Sequence, residues 1–579
     1  MQPLVCAKSK IFDVCQCTQP NLLRALSNEY KSPGEVGKQH ASKYLAGYLP
    51  HLNARTIVVE YDYTDADYLD DYSSYYVRCF APYARRCKRL HFFSWSFAKD
   101  DLLRLITRRT HRSELARFKR CYLGFVVARP LPDAIVGRTV LATYGSDGGR
   151  RHYSATRLYR ANLFGISLQV RSLAFQVQDT VLAACATVAL WSAFQKTAEL
   201  FAGQAPTPAM ITRAGARIGH DSRPIPSHGL TLQQICNAVE SFGLEPEVFT
   251  TCSGTPLPSL IYGYLQFGLP VVIVGVIGEG ADAGAGHAIT IAGCSIGSAR
   301  RRVREVPSRV HCIQMTGLRI EAFFAHDDRI GPFAKMELKE VDPAAVPQAV
   351  STVLQPLQIP HFCLYEPTWK QSLYPIAVVV PVYTKIRLTF LELQTWLTRL
   401  DAFLKLLRGR NLLKAAGAGM WEWDIQLTTT NRFKHDLPRL GGPAAVSLQR
   451  ALLDQHPRFV WRATYKINGR NIFELLADAT DLERSLPIYA GIWYDTDVAR
   501  RLYESLADPA LLPFGLFTLS RRFCALLCRS LQHRLAGNSD DLHLPCEFHA
   551  SGACSFRREP EFDDTESLKR VCPHPLSRT

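Results

Sequence analysis

The sequence has no long hydrophobic run. Its longest apolar stretch, Val181 to Phe194 (VLAACATVALWSAF), falls well short of the roughly 20 residues a membrane-crossing helix requires. It has the length of a buried helix. The opening, MQPLVCAKSKIFDVCQC, lacks the apolar segment of a secretory signal, so a cytoplasmic protein without a membrane span is expected. P-loop, dinucleotide-binding glycine and H-E-x-x-H patterns are all missing, which leaves nucleotide and zincin chemistry without support. There is no internal repeat and no low-complexity tract. Cysteine is not scarce, but the 17 cysteines are odd in number and scattered. Without a secretory signal they read as reduced thiols and not as a disulfide framework.

What is present is the balance of ordinary globular protein, 47% hydrophobic and 21% charged over 579 residues. A chain of that length divides into several domains. The expected class is α+β: a mixed α/β region over 1–170, a central region over 171–345, a second mixed region over 346–535, and a polar, disordered tail over 536–579. In the first region TIVVEYDY (Thr56 to Tyr63) reads as a strand and DLLRLITRRTHRSELARF as a helix. YLGFVVARP and IVGRTVLATY flank Leu131-Pro132-Asp133-Ala134 as a hairpin. The acidic run Asp62 to Tyr72 reads as a solvated face or docking surface.

The formal charge of +16 is uneven. Arg78 to Arg120 holds thirteen Lys/Arg against Asp100, Asp101 and Glu114. The aromatics of HFFSWSF interleave with these cations, as in proteins that hold single-stranded nucleic acid. A solvated helical face is the plainer reading, with weak, salt-sensitive polyanion binding. In the tail, Cys546, His549, Cys554 and Cys572 invite a zinc reading but lack the paired spacing of structural zinc sites.

Chemistry concentrates in the central region. A polar Gln-Asp-Thr turn leads into a helix that is apolar on every face and must therefore be buried. Cys185 sits near its start, where the dipole and free N–H groups favour an anion. Gln178, seven residues earlier, can donate a hydrogen bond to a developing oxyanion beside the backbone N–H of Cys185. Gln176 competes for that role. LTLQQICNAVESFGLEPEVF then reads as helix, glycine stop and strand, LPSLIYGYLQFGLP as helix, and PVVIVGVIG as a buried strand. The glycine-rich EGADAGAG ends at His287, which opens the strand HAITIAGC. RIEAFFAHDDRIGPFAKMEL gives a strand, the carboxylates Asp327 and Asp328, and a second strand. Nucleophile, base and orienting acid are the parts a thiol hydrolase needs.

Over these 170 or so residues the sequence resembles the papain-like cysteine peptidase clan, and most closely its peptidase C39-like branch. Gln178 before Cys185, GHAITIAGC at the histidine and the acidic turn after the next strand carry the resemblance. It implies a papain-like core in which Cys185 attacks, His287 is the base, Asp327 orients the imidazole and Gln178 helps bind the oxyanion. Asp328 is the alternative acid, with Arg329 beside it as a surface ion partner. The expected function is a cysteine hydrolase, a peptidase cleaving a peptide or isopeptide-like acyl bond in a protein or peptide, with no metal or organic cofactor. The rivals are a transglutaminase-like acyl transferase or deamidase, and a catalytically silent core whose basic surface binds nucleic acid or an acidic protein.

Overall fold

Strands β1 (Phe12–Gln16), β2 (Thr56–Tyr63), β3 (Cys87–Phe93), β4 (Tyr122–Ala128) and β5 (Val136–Leu141) form an antiparallel sheet in chain order. The structure is a computed structural model. It describes residues 10–535 except 108, 110, 180, 182–183, 217–228, 252–255, 299–312, 355–358, 414–418, 440–444, 484–485, 509 and 512–518. The polar tail with its cysteines, and the basic insertion after Ser298, lie outside the described residues. Among them every cysteine is a free thiol, and no helix is long and apolar enough to cross a membrane.

The first sheet buries apolar side chains on both faces. Helices Gln19–Leu26 and His40–His51 cover one face through Leu22, Leu45 and Leu49. Helices Ala66–Ser74, Lys99–Ile106 and Arg112–Arg120 cover the other. Two expectations change here. The basic helix is broken into two after Ile106, its amphipathic faces each reaching the core through Leu102, Leu105 and Phe118. The acidic run is not a solvated face: Asp65, Asp67 and Asp71 are all buried, and Arg138 pairs with Asp65 and Asp67. The basic segment is also partly consumed inside the fold, since Arg89 is buried against Glu60 at 2.8 Å.

Past the short β6 (Arg151–His152) and the hairpin β7 (Arg157–Leu163) and β8 (Ile166–Ser172), the helix Cys185–Leu200 enters the middle of the molecule. Every residue from Ala186 to Thr197 is buried, as a helix apolar on all faces requires. Strand β9 (Leu244–Thr250) follows, then β10 (Val271–Ile277), β11 (Gly286–Ile296), β12 (Ile320–Asp327), β13 (Gly331–Glu340), β14 (Phe362–Glu366) and β15 (Gln371–Tyr383). The last six pair in sequence and β10 also pairs with β15, so they close into a six-stranded antiparallel barrel. Closure removes the free strand edges that an open sheet would expose. β15 is long enough to serve β14, β10 and β9 in turn.

The fold is therefore α+β, with helices and antiparallel sheets in separate layers around a closed barrel. The barrel needs β14 and β15, which lie beyond residue 345. No packing gap falls at 170 either: one apolar core runs from Val58 and Phe93 through Leu168 and Trp191 to Val272 and Val379. The last described sheet, β16 (Trp421–Thr429), β17 (Phe459–Ile467), β18 (Arg470–Asp478) and β19 (Ile488–Trp493), is antiparallel in chain order. It joins the rest through the bridge Met315–Trp423 and through Gly263, where an added Cβ would stand 3.0 Å from Phe390 and 3.2 Å from Trp461.

The first region is fastened to the barrel beside the turn after β12. Tyr44 donates a hydrogen bond to the Pro332 carbonyl at 2.9 Å, and a Cβ on Gly331 would stand 2.2 Å from the Tyr44 ring. Gly331→Ala is expected to lower stability by about 1–3 kcal/mol through overpacking, measured as a lower urea midpoint at unchanged slope. A Tyr44→Ala, Gly331→Ala double variant is expected to lose less than the two single losses combined, because the clash is gone.

Candidate functional site

Cys185 is the first residue of its helix, with Ala184 as the N-cap. The N–H groups of a first helical turn have no acceptor within the helix and remain available to a ligand. The helix is held against β11 by apolar packing and by the Thr290 hydroxyl, which donates to the Ala189 carbonyl at 2.6 Å. His287, the second residue of β11, is thereby fixed relative to Cys185 across a buried surface.

The acid comes from the neighbouring strand. β11 and β12 run antiparallel with Thr290 opposite His326. One further step along that register sets Asp327 opposite Ile289, which shares a strand face with His287. The geometry follows: His287 Nε2 and Asp327 Oδ1 are 2.9 Å apart, and Asp328 Oδ1 lies 3.8 Å from the same nitrogen. Cys185 stands near enough to the ring to raise the His287 pKa. With Nε2 engaged by Asp327, Nδ1 is the nitrogen left for the thiol. Cys185, His287 and Asp327 are thus together in the order the sequence suggested. The carboxylate nearer the ring is Asp327, whose Oδ1 also accepts from the Arg329 N–H at 3.0 Å.

Burial is the largest influence on His287 and opposes its charge. The Asp327 carboxylate, its hydrogen bond, the thiol contact and the Asp328 carboxylate outweigh burial, and the His287 pKa stands well above 6.5. Burial likewise presses on Asp327, yet the imidazolium and the Arg329 N–H hold it below the ordinary carboxylate value. Asp328 differs. Burial first, relieved in part by His287 and reinforced by Asp327, pushes it up to about 6. Its Oδ2 is buried with no hydrogen-bond partner among the described residues. The surface ion pair expected for Asp328 is absent, because Arg329 pairs with Asp282 at 2.9 Å instead. The neighbouring His326 is a contrasting case. Its ring bonds the Leu173 carbonyl and the Phe333 N–H, burial pushes its pKa down to about 3, and its role is to fill the barrel wall.

Gln178 is exposed on the extended segment before the helix, and Gln176 is buried at 2% exposure. Two cavities flank the site, and Gln178 lines both. One, of about 340 Å³, also includes Asp328, Arg329, Asp282 and His40. The other, of about 560 Å³, runs past Ala184, Val181 and Asp179 to Tyr75, Tyr76 and Tyr83. Gln176 lines neither. The tyrosine wall was missed in the sequence, where Tyr75, Tyr76 and Tyr83 lie beyond the acidic run Asp62 to Tyr72 and were given no role. The signal was their density over Tyr72 to Tyr83, which no exposed helix requires.

His287, Asp327 and Asp328 bring three ligand atoms within 4.8 Å of one another, a grouping that can hold a metal ion. The 2.9 Å Nε2–Oδ1 separation is that of a hydrogen bond. The proton on that nitrogen occupies the lone pair a metal would need, so the donor set fits an oriented imidazole better than a cation.

No family model matches the chain, and neither a curated protein nor a solved structure is similar to it.

Because Asp328 binds its proton more tightly folded than unfolded, its contribution to stability is full below the unfolded value of about 3.9 and is lost as pH rises to about 6. Asp328→Asn removes that loss. The variant is expected to gain stability over the parent between pH 4 and 6 and to keep the gain at pH 7, measured by urea unfolding across pH. A difference independent of pH would contradict the assignment.

Proposed function

We propose that the protein is a cysteine hydrolase with a papain-like catalytic arrangement, acting on a peptide or isopeptide-like acyl bond. The observation that carries the reading is Cys185 at the start of a helix beside the buried pair His287–Asp327, whose carboxylate lies 2.9 Å from one ring nitrogen while the cysteine acts on the same ring. Structural cysteines do not need a histidine whose second nitrogen is held by a buried acid.

In this reading the Cys185 sulfur attacks the acyl carbon and the carbonyl oxygen becomes an oxyanion. The N–H groups of the first helical turn and the Gln178 amide face that charge. His287 takes the thiol proton as the sulfur attacks, gives it to the departing amine and then becomes the base for water. Water then attacks the thioester, His287 takes its proton, and the thiol is regenerated with release of a carboxylic acid. Asp327 fixes ring orientation and tautomer throughout. The two cavities that Gln178 lines, one bounded by Asp328 and the other by Ala184, offer room for an extended substrate beside the site.

Cys185→Ser is expected to abolish turnover of peptide and isopeptide substrates without loss of folding. Alkylation of Cys185 by iodoacetamide near pH 7 is expected to slow in His287→Ala, because the paired imidazole is gone. An unchanged alkylation rate would remove His287 as partner. Supplying an amine separates hydrolysis from acyl transfer: incorporation of the amine into product would favour the transferase.

Asp327→Ala is expected to lower kcat strongly and Asp328→Ala only slightly. Gln178→Ala is expected to cost about 10²- to 10³-fold in kcat with KM little changed, while Gln176→Ala acts chiefly on stability. The reverse order within either pair would reassign the role.

A further inference from the structure

A third cavity, of about 440 Å³, lies away from the cysteine and is lined by Arg171, Lys196, Arg432 and Arg458 with no carboxylate in its wall. Four cations from four separate elements converge there. Arg171 comes from β8 and Lys196 from the buried helix, whereas Arg432 lies on helix Thr430–Asp436 and Arg458 just before β17.

Their existing partners leave two of the four cations without a carboxylate. Arg171 and Arg458 have no carboxylate within ion-pair distance among the described residues. Arg458 rests over the rings of Tyr383 and Phe459 at 5.7 and 5.2 Å, which positions the guanidinium without neutralising it. Arg432 donates to the Gln266 carbonyl at 2.7 Å, and its nearest acid, Asp436, stands 3.7 Å away. Lys196 is 8% exposed and pairs with Glu199. Burial holds Lys196 below the ordinary lysine value; Glu199 opposes this, and Arg171 and Arg157 add to it. A group of like charges is costly to gather unless a counter-charge completes it. The hydroxyls of Ser154, Thr156 and Thr429 share the wall, so neutral hydrogen-bonding groups stand beside the charged donors.

We propose that this cavity binds a small, multiply phosphorylated anion, with Arg171 and Arg458 as its principal ligands. Guanidinium groups meet phosphate oxygens in paired hydrogen bonds, and several such groups suit a ligand with more than one phosphate. Phe267 and Phe459 also line the cavity, which suits either a bare polyphosphate or the phosphates of a nucleotide. Lys196 stands on the same helix as Cys185, eleven residues on and about 16 Å along the axis. The site is therefore separate from the hydrolytic centre and does not depend on that reading.

Titration calorimetry on the full chain at 150 mM salt tests this with two probes, tripolyphosphate and ATP. Saturable binding of at least one is expected, weakened at least tenfold in Arg458→Glu and in Arg171→Glu, each checked for folding by circular dichroism. Both residues are exposed, so folding should survive; Arg458→Gln provides a milder second test. Arg104→Glu changes net charge equally in the basic N-terminal region and is expected to leave affinity unchanged. Equal affinity for the two probes assigns the site to phosphate groups alone, and tighter ATP adds a base beside the aromatic residues. The proposal is overturned by absence of saturable binding to either probe. It is equally overturned if Arg104→Glu weakens binding as much as the cavity variants do.

Discussion

The packing of one all-buried helix onto one barrel strand governs the rest of the arrangement. Helix Cys185–Leu200 has no solvent-facing side over its first twelve residues after the cysteine, so its axis is set by neighbours on every side. The Thr290 hydroxyl on the Ala189 carbonyl fixes it further against β11. A slip of one residue in that contact would carry Cys185 away from His287, because the two come from different elements and meet only through this interface. Apolar burial supplies the free energy, and the buried Thr290–Ala189 hydrogen bond supplies direction.

Barrel closure does for the acid what helix packing does for the thiol. With β10 bonded to both β11 and β15, the strands cannot splay, and the β11–β12 register is held at the end where His287, Asp327 and Asp328 meet. The resulting cluster is asymmetric. One carboxylate is ionised by contact with the imidazolium, and the other is driven toward its neutral form by burial beside the first. Two adjacent acids in one turn thus acquire different chemistry from a difference of under 1 Å in their distances to one nitrogen.

Further out, the N-terminal sheet is more than an appendage. Its tyrosines and Asp133 form walls of the two cavities beside Gln178. The apolar core is continuous from that sheet to the barrel. The region read from the sequence as a domain of its own, 1–170, therefore walls both cavities.

Much of the site was legible in the chain itself. Apolar periodicity located the buried helix and the strands around His287 and Asp327, since burial demands that pattern and little else produces it. The order of cysteine, histidine and acid, each at the edge of a regular element, followed directly. The barrel was not legible, because strand pairing between β10 and β15 links segments about a hundred residues apart and leaves no local mark. Nor was the fate of the charges. Asp65, Asp67 and Asp71 read as solvated because acids usually are, and only their packing against the N-terminal sheet shows them buried. Arg329 turned to Asp282 and not to its sequence neighbour. The convergence of Arg171, Lys196, Arg432 and Arg458 belongs wholly to the tertiary structure. Hydrophobic spacing is a local property of the chain, whereas the distance between two charges is set only when the whole fold closes.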